Sequence, residues 1–294
     1  MEKIEESDVS VIIPAYNEAP SIGRVVAEIL ALHPGIEIIV IDDGSTDRTG
    51  DVAGEAGAVV YRHPYNIGNG AAIKSGIRIA SGNVLVFMDG DGQHDTADLN
   101  ELIRYFPEFD MVVGARSSED QTSTIRSIGN RIYNGLASYV TNFPIQDLTS
   151  GFRAIKADLA QHLLYLLPNT YSYPTTLTLG ILRSGRSIKY VRIAVKKRQI
   201  GKSGIRIIKD GIRFFMIIIR ICTFYSPLKI FLPISMVIFL IGLGYYGYTF
   251  FTAGRFTNMS ALLLTTSVLI FMLGLVSEQI SQLRFEKSEG DRFV

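Results

Sequence analysis

The sequence contains no tryptophan and only one cysteine, Cys222. A single cysteine excludes an internal disulfide and fits a reducing compartment. Charge is nearly balanced, with 29 basic and 28 acidic residues and a net charge of +1, so we expect no nucleic-acid partner. Charge is missing altogether from residues 230–254 and 258–277. Each of these runs is long enough to cross a bilayer as a helix.

The first two thirds of the chain alternate between strand-like and helix-like patterns. Apolar runs predict five strands, at residues 9–13, 36–41, 58–61, 83–88 and 110–114. Helices are expected over residues 19–32 and 71–80. This alternation predicts an α/β fold with a mostly parallel, doubly wound sheet. Right-handed crossovers bring the carboxyl ends of such strands to one edge, where ligands bind.

Polar residues follow the predicted strands at that edge. The fourth strand leads into Asp89-Gly-Asp-Gly-Gln-His94. Two carboxylates one residue apart repel each other unless they share a cation, and oxygen ligands from Asp89, Asp91 and Gln93 suit Mg²⁺ or Mn²⁺. Taken alone, such a motif favours an acidic turn, in which Gly90 and Gly92 supply unusual backbone angles and Asp95 caps the next helix. The convergence of the strand ends favours a nucleotide-diphosphate site, formed with Tyr16, Asn17, Glu18, Asp42 and Asp43.

Three other readings of these motifs are weaker. An EF-hand loop requires glycine at its sixth position, which is His94, and glutamate at its twelfth, which is Asn100. Gly68-Asn-Gly70 lacks the next glycine of a P-loop or a dinucleotide fingerprint, because Ile73 stands there. Gly68 and Gly70 therefore indicate a close backbone approach, which is either structural or directed at a ligand. His94 is either a hydrogen-bonding spacer or a catalyst.

The motifs together resemble the family 2 glycosyltransferases of GT-A fold, over about residues 9–205. They are Pro14-Ala-Tyr-Asn-Glu18, Asp42-Asp-Gly-Ser-Thr-Asp47, Gly68-Asn-Gly70 and Asp89-Gly-Asp-Gly-Gln-His94, in this order. The last motif and Asp147-Leu-Thr-Ser-Gly-Phe-Arg153 are most similar to the polyprenyl-phosphate sugar synthases, which include dolichol-phosphate mannosyltransferase and its bacterial relatives. The processive polysaccharide synthases are disfavoured, because their Q-x-x-R-W motif requires tryptophan.

The resemblance implies a role for each site residue. Pro14, Tyr16, Asn17, Glu18, Asp42, Asp43, Gly68 and Gly70 would hold the nucleotide, and Asp89, Asp91 and Gln93 the metal and diphosphate. Asp147 would orient the acceptor or the metal. The acceptor phosphate would meet Arg116, Arg131, Arg153, Arg198 and Lys202. A lipid phosphate is already an anion, so it needs positioning more than base catalysis. The family's R-x-x-G-x-S-K pattern is altered here, because Gly204 replaces its lysine.

The last third of the chain indicates a membrane protein. Residues 183–220 contain twelve Lys or Arg and one acid, Asp210, and the spacing of the basic residues predicts an interfacial amphipathic helix over 201–227. A transmembrane hairpin is expected over 228–278, with a tail at 279–294. The basic block places the catalytic domain (1–200) and both termini in the cytoplasm of a multi-pass cell-membrane protein.

The sequence therefore predicts a metal-dependent, inverting hexosyltransferase. It would move a hexose from UDP-glucose or GDP-mannose to undecaprenyl or dolichyl phosphate on the cytoplasmic face. The alternatives are a membrane-tethered nucleotide-sugar binding or scaffold protein without turnover, and a glycosyltransferase with a different acceptor. Association of the hairpin with a second copy, as a homo-oligomer, is a further hypothesis.

Overall fold

The computed structural model describes residues 4–116, 124–170, 172–193 and 225–290, without the side chains of 124–128, 130 and 284–290. The chain divides into two compact units, one of residues 1–138 and 143–211 and the other of residues 139–142 and 212–294. The predicted interfacial helix over 201–227 lies almost entirely outside the described residues, as do Arg198 and Lys202.

The first unit is built from a sheet with helices on both sides. Its described strands are β1 (Val9–Ala15), β2 (Glu37–Asp42), β3 (Val59–Arg62), β4 (Val84–Phe87), β5 (Met111–Arg116), β6 (Arg153–Lys156) and β7 (Ile188–Ile193). Its described helices are α1 (Ala19–Leu32), α2 (Thr49–Glu55), α3 (Asn69–Ile79), α4 (Leu99–Ile103), α5 (Thr124–Thr141, whose last residues fall in the second unit), α6 (Ala157–His162) and α7 (Tyr173–Arg183). Short 3₁₀ turns lie at Glu6–Asp8, Thr96–Asp98 and Leu164–Leu166.

The seven strands form one mixed sheet in the order β3-β2-β1-β4-β6-β5-β7. Every neighbouring pair is parallel except the two pairs that include β6, which runs antiparallel to both β4 and β5. The carboxyl ends of the other six strands therefore lie at one edge. All five predicted strands are confirmed. β6 and β7 had no predicted counterpart.

Alternating side chains on the strands build a core on each face of the sheet. Val11 and Ile13 of β1 belong to one core, with apolar residues of α1, α2 and α4. Ile12, between them, belongs to the other core, with residues of α3, α6 and α7. Because successive residues of a strand point to opposite faces, one apolar strand supplies both cores. The doubly wound arrangement follows from strands that are buried on both sides.

The helix predictions are also met closely. The predicted helix over 19–32 is α1, whose buried residues recur every three or four positions, and the predicted helix over 71–80 is α3 at 69–79. The acidic-turn reading is met as well, because the Asp95 carboxylate accepts a hydrogen bond from the Ala97 amide and caps the turn at Thr96–Asp98. Strand-end chemistry and helix capping therefore coexist in this loop.

The second unit contains two long apolar helices, α8 (Leu228–Ala253) and α9 (Asn258–Gly290). Both are long and apolar enough to cross a membrane, over 228–253 and 258–283. They pack closely where side chains are small: a Cβ on Gly274 would lie 2.6 Å from Cβ of Phe231. The Glu278 carboxylate accepts hydrogen bonds from the Leu228 amide at 3.2 Å and the Ser226 hydroxyl at 3.3 Å, which joins the start of α8 to α9. α9 continues past 278, the predicted end of the hairpin.

Candidate active site

The two carboxylates of the Asp89-Gly-Asp91 motif follow β4 directly, as the sequence predicts. The Asp89 side chain is 43% exposed, and Asp91 Oδ1 accepts a hydrogen bond from the Gln93 amide at 3.1 Å. A hydrogen bond from α1 holds the loop in place, because the Ser21 hydroxyl donates to the Gly90 carbonyl at 2.9 Å. The carboxylates are therefore presented at the sheet edge on a loop held by α1.

His94 lies beneath these carboxylates as a buried, neutral side chain. Its ring stacks on Phe152, with 4.8 Å between the ring centroids, and its Nε2 lies 4.0 Å from Asp89 Oδ2. Burial is the main reason that the pKa of His94 is lowered to about 4; the Asp91 carboxylate opposes this effect and the nearby Arg116 cation adds to it. An uncharged imidazole does not compete with a metal ion for the carboxylates. A neutral, buried imidazole does not favour an acid catalyst, and within the described residues its Nδ1 has no hydrogen-bond partner that would support the hydrogen-bonding spacer.

The motif that ends in Arg153 runs past the carboxylates at the same edge. A Cβ on Gly151 would lie 3.1 Å from Asp89 Oδ2, so the glycine lets the backbone approach Asp89 without displacing its carboxylate. Asp147 accepts hydrogen bonds from the amides of Thr149 and Ser150, each at 3.0 Å. These bonds fold the start of the motif into a tight turn.

Asp147 also forms an ion pair with Arg116, which lies at the end of β5. Arg116 Nε donates to Asp147 Oδ2 at 2.7 Å and Nη2 donates to Oδ1 at 3.0 Å, while Nη2 also reaches the Thr149 hydroxyl at 2.6 Å. Burial alone would raise the pKa of Asp147 and lower that of Arg116, but their mutual attraction outweighs both effects. Asp89 acts on Arg116 in the same direction. The guanidinium is thus a fixed cation near the acidic motif.

This clamp leaves part of Arg116 available. The Arg116 side chain is 31% exposed, and within the described parts of the chain Nη1 has no hydrogen-bond partner. Arg131 lies on α5 and is exposed. Both arginines therefore have side-chain surface exposed to solvent, as contact with an external anion requires.

Arg153 is placed differently from the expectation that it meets an acceptor phosphate. Its side chain is fully buried, and it donates to the carbonyls of Ser150 and Pro174 and to the Thr178 hydroxyl. A side chain with no exposed surface offers nothing to a lipid phosphate. Arg153 instead ties the tight turn to the first turn of α7, because its donors reach both.

The first group of predicted nucleotide-binding residues lies at the ends of β1 and β2, in two loops that are joined by hydrogen bonds. The Asn17 side chain accepts from the Thr46 amide at 2.9 Å, and the Asn17 amide donates to the Ser45 hydroxyl at 3.0 Å. The Glu18 amide donates to the Thr49 hydroxyl at 2.8 Å. The backbone amide and the side-chain oxygen of Asn17 therefore both make hydrogen bonds within the protein. Pro14 is buried within β1, whereas Tyr16 is 45% exposed.

Asp42 and Asp43 are both buried, with exposures of 1% and 3%. Asp42 accepts from Arg62 Nε at 3.0 Å and from the Ser45 amide at 2.9 Å. Asp43 accepts from His63, which sequence reasoning did not single out. No sequence signal marks His63, because a lone histidine after a strand is common. Its role depends on a contact between distant residues.

Gly68 and Gly70 are explained by close packing inside the protein. A Cβ on Gly68 would lie 2.3 Å from the Asn169 carbonyl oxygen, and one on Gly70 would lie 2.1 Å from that of Pro168. The Gly70 amide donates to the Asn169 carbonyl at 3.1 Å. The structural alternative for these glycines therefore has direct support. They allow the segment before α7 to close over the start of α3.

The doubly wound sheet, with its paired-carboxylate loop at the carboxyl edge, is what the motifs predicted for a GT-A fold. The model of the family "Glycosyl transferase family 2" matches residues 10–164, and that of the "GtrB C-terminal hairpin" matches residues 226–283. The chain belongs to glycosyl transferase family 2, as its motifs predicted, and it is a glycosyltransferase. The predicted GT-A fold is likewise confirmed.

Individual relatives agree with this family. The chain is 31% identical to undecaprenyl-phosphate mannosyltransferase of Micrococcus luteus, over 65% of this chain and 85% of that protein. It is 25% identical to dodecaprenyl-phosphate galacturonate synthase of Rhizobium johnstonii, over 99% of this chain and 93% of the relative. Among solved structures, glucosyl-3-phosphoglycerate synthase of Mycobacterium tuberculosis matches with a TM-score of 0.59 at 21% identity, over 73% of this chain and 78% of that one. This last likeness concerns the fold.

Proposed function

We propose that the protein transfers a hexose from a nucleotide diphosphate sugar to the phosphate of a polyprenyl lipid. Two relatives that align with most of this chain are named for polyprenyl-phosphate acceptors, and one of them aligns over both units. The match of residues 226–283 to a C-terminal hairpin and the two apolar helices support a membrane-bound enzyme. The basic block before the hairpin supports a cytoplasmic catalytic unit.

The observation that carries the proposal is the cation at the acidic edge. Arg116 is held by Asp147 in a two-pronged ion pair, near Asp89, with Nη1 left over. An arginine held this way suits recognition of a phosphate. An acceptor phosphate at Arg116 would lie beside the donor's diphosphate at Asp89 and Asp91. The exposed Arg131 would add a second positive charge.

The donor set at Asp89, Asp91 and Gln93 fits a divalent metal ion. It offers only oxygen ligands, Asp89 is partly exposed, and the adjoining His94 is neutral. No group of three or more His, Cys, Asp or Glu side chains suited to a metal occurs among the described residues, so the amide of Gln93 and the substrate phosphates would complete the coordination. The M. tuberculosis synthase was crystallised with UDP and either Mn²⁺ or Mg²⁺. A bound ion would stabilise negative charge on the departing diphosphate.

The proposed transfer forms one bond and breaks one. An oxygen of the lipid phosphate attacks the anomeric carbon, and the bond from that carbon to the nucleoside diphosphate breaks with inversion. The nucleophile is already an anion, so no side chain has to accept a proton. Asp147 accordingly serves to aim Arg116, because its oxygens already accept from Arg116, Thr149 and Ser150. The protein contributes position and charge.

The test is transfer of labelled sugar to a lipid that is extracted into organic solvent. Purified protein receives polyprenyl phosphate, Mn²⁺ or Mg²⁺ and, separately, UDP-glucose, UDP-galactose, GDP-mannose or UDP-N-acetylglucosamine. Asp91→Asn should reduce transfer by about a hundredfold or more. Asp95→Asn makes the same chemical change in the same loop and should stay within about twofold, because the amide oxygen keeps the cap. Metal-dependent nucleotide binding without lipid product from any donor would refute the lipid acceptor.

A further inference from the structure

A relay of two hydrogen bonds joins the side chains of Asp43, His63 and Ser75 near the carboxyl ends of β2 and β3. Asp43 Oδ1 lies 2.7 Å from Nδ1 of His63, and Nε2 of His63 lies 2.9 Å from the Ser75 hydroxyl on α3. His63 is 5% exposed and Asp43 is 3% exposed. A carboxylate only accepts hydrogen bonds, so Nδ1 is the donor to Asp43. In the neutral imidazole, Nε2 then accepts the hydrogen bond from the Ser75 hydroxyl.

Asp43 in turn holds the segment between β3 and α3. Its Oδ1 also accepts from the Ile67 amide at 3.0 Å, and its Oδ2 accepts from the Gly68 amide at 2.8 Å. Gly68 has a φ of 123°, which favours glycine, and α3 begins at the next residue. The carboxylate therefore fixes both the end of the segment and the start of the helix.

The fixed segment presents apolar side chains to solvent at the active-site edge. Tyr65 is 67% exposed and Ile67 is 38% exposed. The backbone under Tyr65 is pressed against Gly44, where an added Cβ would lie 2.4 Å from the Tyr65 carbonyl carbon. The Asp43 amide donates to the Ala15 carbonyl, directly before the exposed Tyr16. Exposed aromatic side chains beside a polar strand edge are suited to a planar, partly apolar ligand.

We propose that His63 and Ser75 are positioning residues for the base-bearing end of the nucleotide donor. They act through Asp43, whose orientation sets the position of the segment at 64–68 and of the Tyr65 ring. This inference rests on the proposed function only in taking the donor to be a nucleotide. A second layer of hydrogen bonds of this kind commonly fixes the tautomer and orientation of groups that meet a ligand.

The order of atoms in this relay is also that of a serine hydrolase triad. The setting differs, because Ser75 lies in the second turn of α3 and not on a strained turn between a strand and a helix. His63 is buried, and its ring makes a T-shaped contact with Tyr61 at a centroid distance of 5.8 Å. We therefore assign Ser75 to positioning. Labelling of Ser75 by a fluorophosphonate probe would overturn that assignment.

The experiment measures the affinity for UDP and for GDP, each with Mn²⁺, by calorimetry on the full-length protein. His63→Leu removes both bonds and should weaken the bound nucleotide about tenfold. Ser75→Ala should weaken it about threefold, and His63→Asn, whose amide can still donate to Asp43, should fall between the wild type and His63→Leu. In the transfer assay the donor KM should rise in parallel, while kcat and the KM for polyprenyl phosphate stay within about twofold.

His33→Gln is the matched control. His33 is also buried and also bonded to a carboxylate, Glu6 at 2.9 Å, but at the opposite end of α1 from the candidate site. The His33→Gln substitution should lower the melting temperature of the protein without changing its affinity for UDP or GDP. Equal effects of His33→Gln and His63→Leu on nucleotide affinity would show a merely structural role and overturn the inference. Unchanged affinity in His63→Leu would do the same.

The outcomes also separate this inference from the proposed function. A wild-type protein that binds nucleotide but makes no lipid product refutes the lipid acceptor, while the His63 series still decides the inference from affinity alone. A wild-type protein that binds neither UDP nor GDP overturns both the nucleotide donor and this inference.

Discussion

Asp147→Asn gives the sharpest test of how the acceptor is aimed. The asparagine oxygen can still accept from the amides of Thr149 and Ser150, so the tight turn should survive. The new NH₂ group, however, faces a guanidinium that can only donate. The two bonds from Arg116, at 2.7 and 3.0 Å, are therefore lost together or reduced to one.

The size of the effect follows from the burial of the pair. A hydrogen bond to a charged group contributes about 1.5–3 kcal/mol, and breaking a fully buried ion pair costs about 3–5 kcal/mol. Arg116 is 31% exposed, so water replaces part of what it loses. We therefore expect about 2 kcal/mol, which corresponds to about a thirtyfold loss of kcat/KM for the lipid acceptor.

The assay varies polyprenyl phosphate at saturating donor and measures nucleotide binding separately. Asp147→Asn should raise the acceptor KM and leave nucleotide affinity unchanged. Arg116→Lys should behave similarly, because lysine keeps the charge but not the paired geometry. Asp110→Asn is the control: it also removes a carboxylate paired with a cation, Lys156 at 2.9 Å, but at the opposite end of β5.

Two results would refute this reasoning. One is a normal acceptor KM in Asp147→Asn together with weakened nucleotide binding, which would place Asp147 on the donor side. The other is an equal loss in Asp110→Asn, which would attribute the effect to general instability. A melting curve for each variant separates instability from a change at the site.

Three further predictions concern stability. Gly70→Ala should lower the melting temperature, because its Cβ would lie 2.1 Å from a carbonyl oxygen, whereas Gly135→Ala, with nothing within 4 Å in α5, should raise stability by up to about 1 kcal/mol. Burial would raise the pKa of Asp110, but hydrogen bonds from a serine and a lysine outweigh it and lower the pKa. On acidification the Asp110 carboxylate therefore binds a proton in the unfolded chain before it does so in the folded protein. The wild type should be more stable than Asp110→Asn by about 1 kcal/mol at pH 7, and this difference should shrink as pH falls through the folded-state pKa. A difference that stays constant down to pH 3 would contradict this prediction. Gly274→Leu should lower the melting temperature in detergent, because its Cβ would meet α8 at 2.6 Å, while Gly244→Leu has open space and should not; equal effects would show that the helices do not pack as described.

The sequence alone determined the elements whose signals are local. Five strands are continuous apolar runs, and α1 follows from apolar residues spaced three and four apart, so period and length identify them without tertiary contacts. The charge-free runs likewise locate α8 and α9. The alternation of strands and helices was sufficient for the α/β fold class, and the resemblance of the strand-end motifs to those of a known family was sufficient for the family.

The tertiary structure decided what depends on partners far away in the chain. β6 is only four residues long and includes Arg153 and Lys156, so it has no clear strand pattern, and pairing between β4 and β5 makes it a strand. Arg153 was expected to contact a phosphate, but its side chain is fully buried and instead makes hydrogen bonds within the protein. Asp43 stands next to Asp42 in sequence, yet only the fold gives it His63 as a partner. Residue type and spacing report what a side chain is able to bind, whereas burial and neighbours decide whether it faces a ligand or the protein itself.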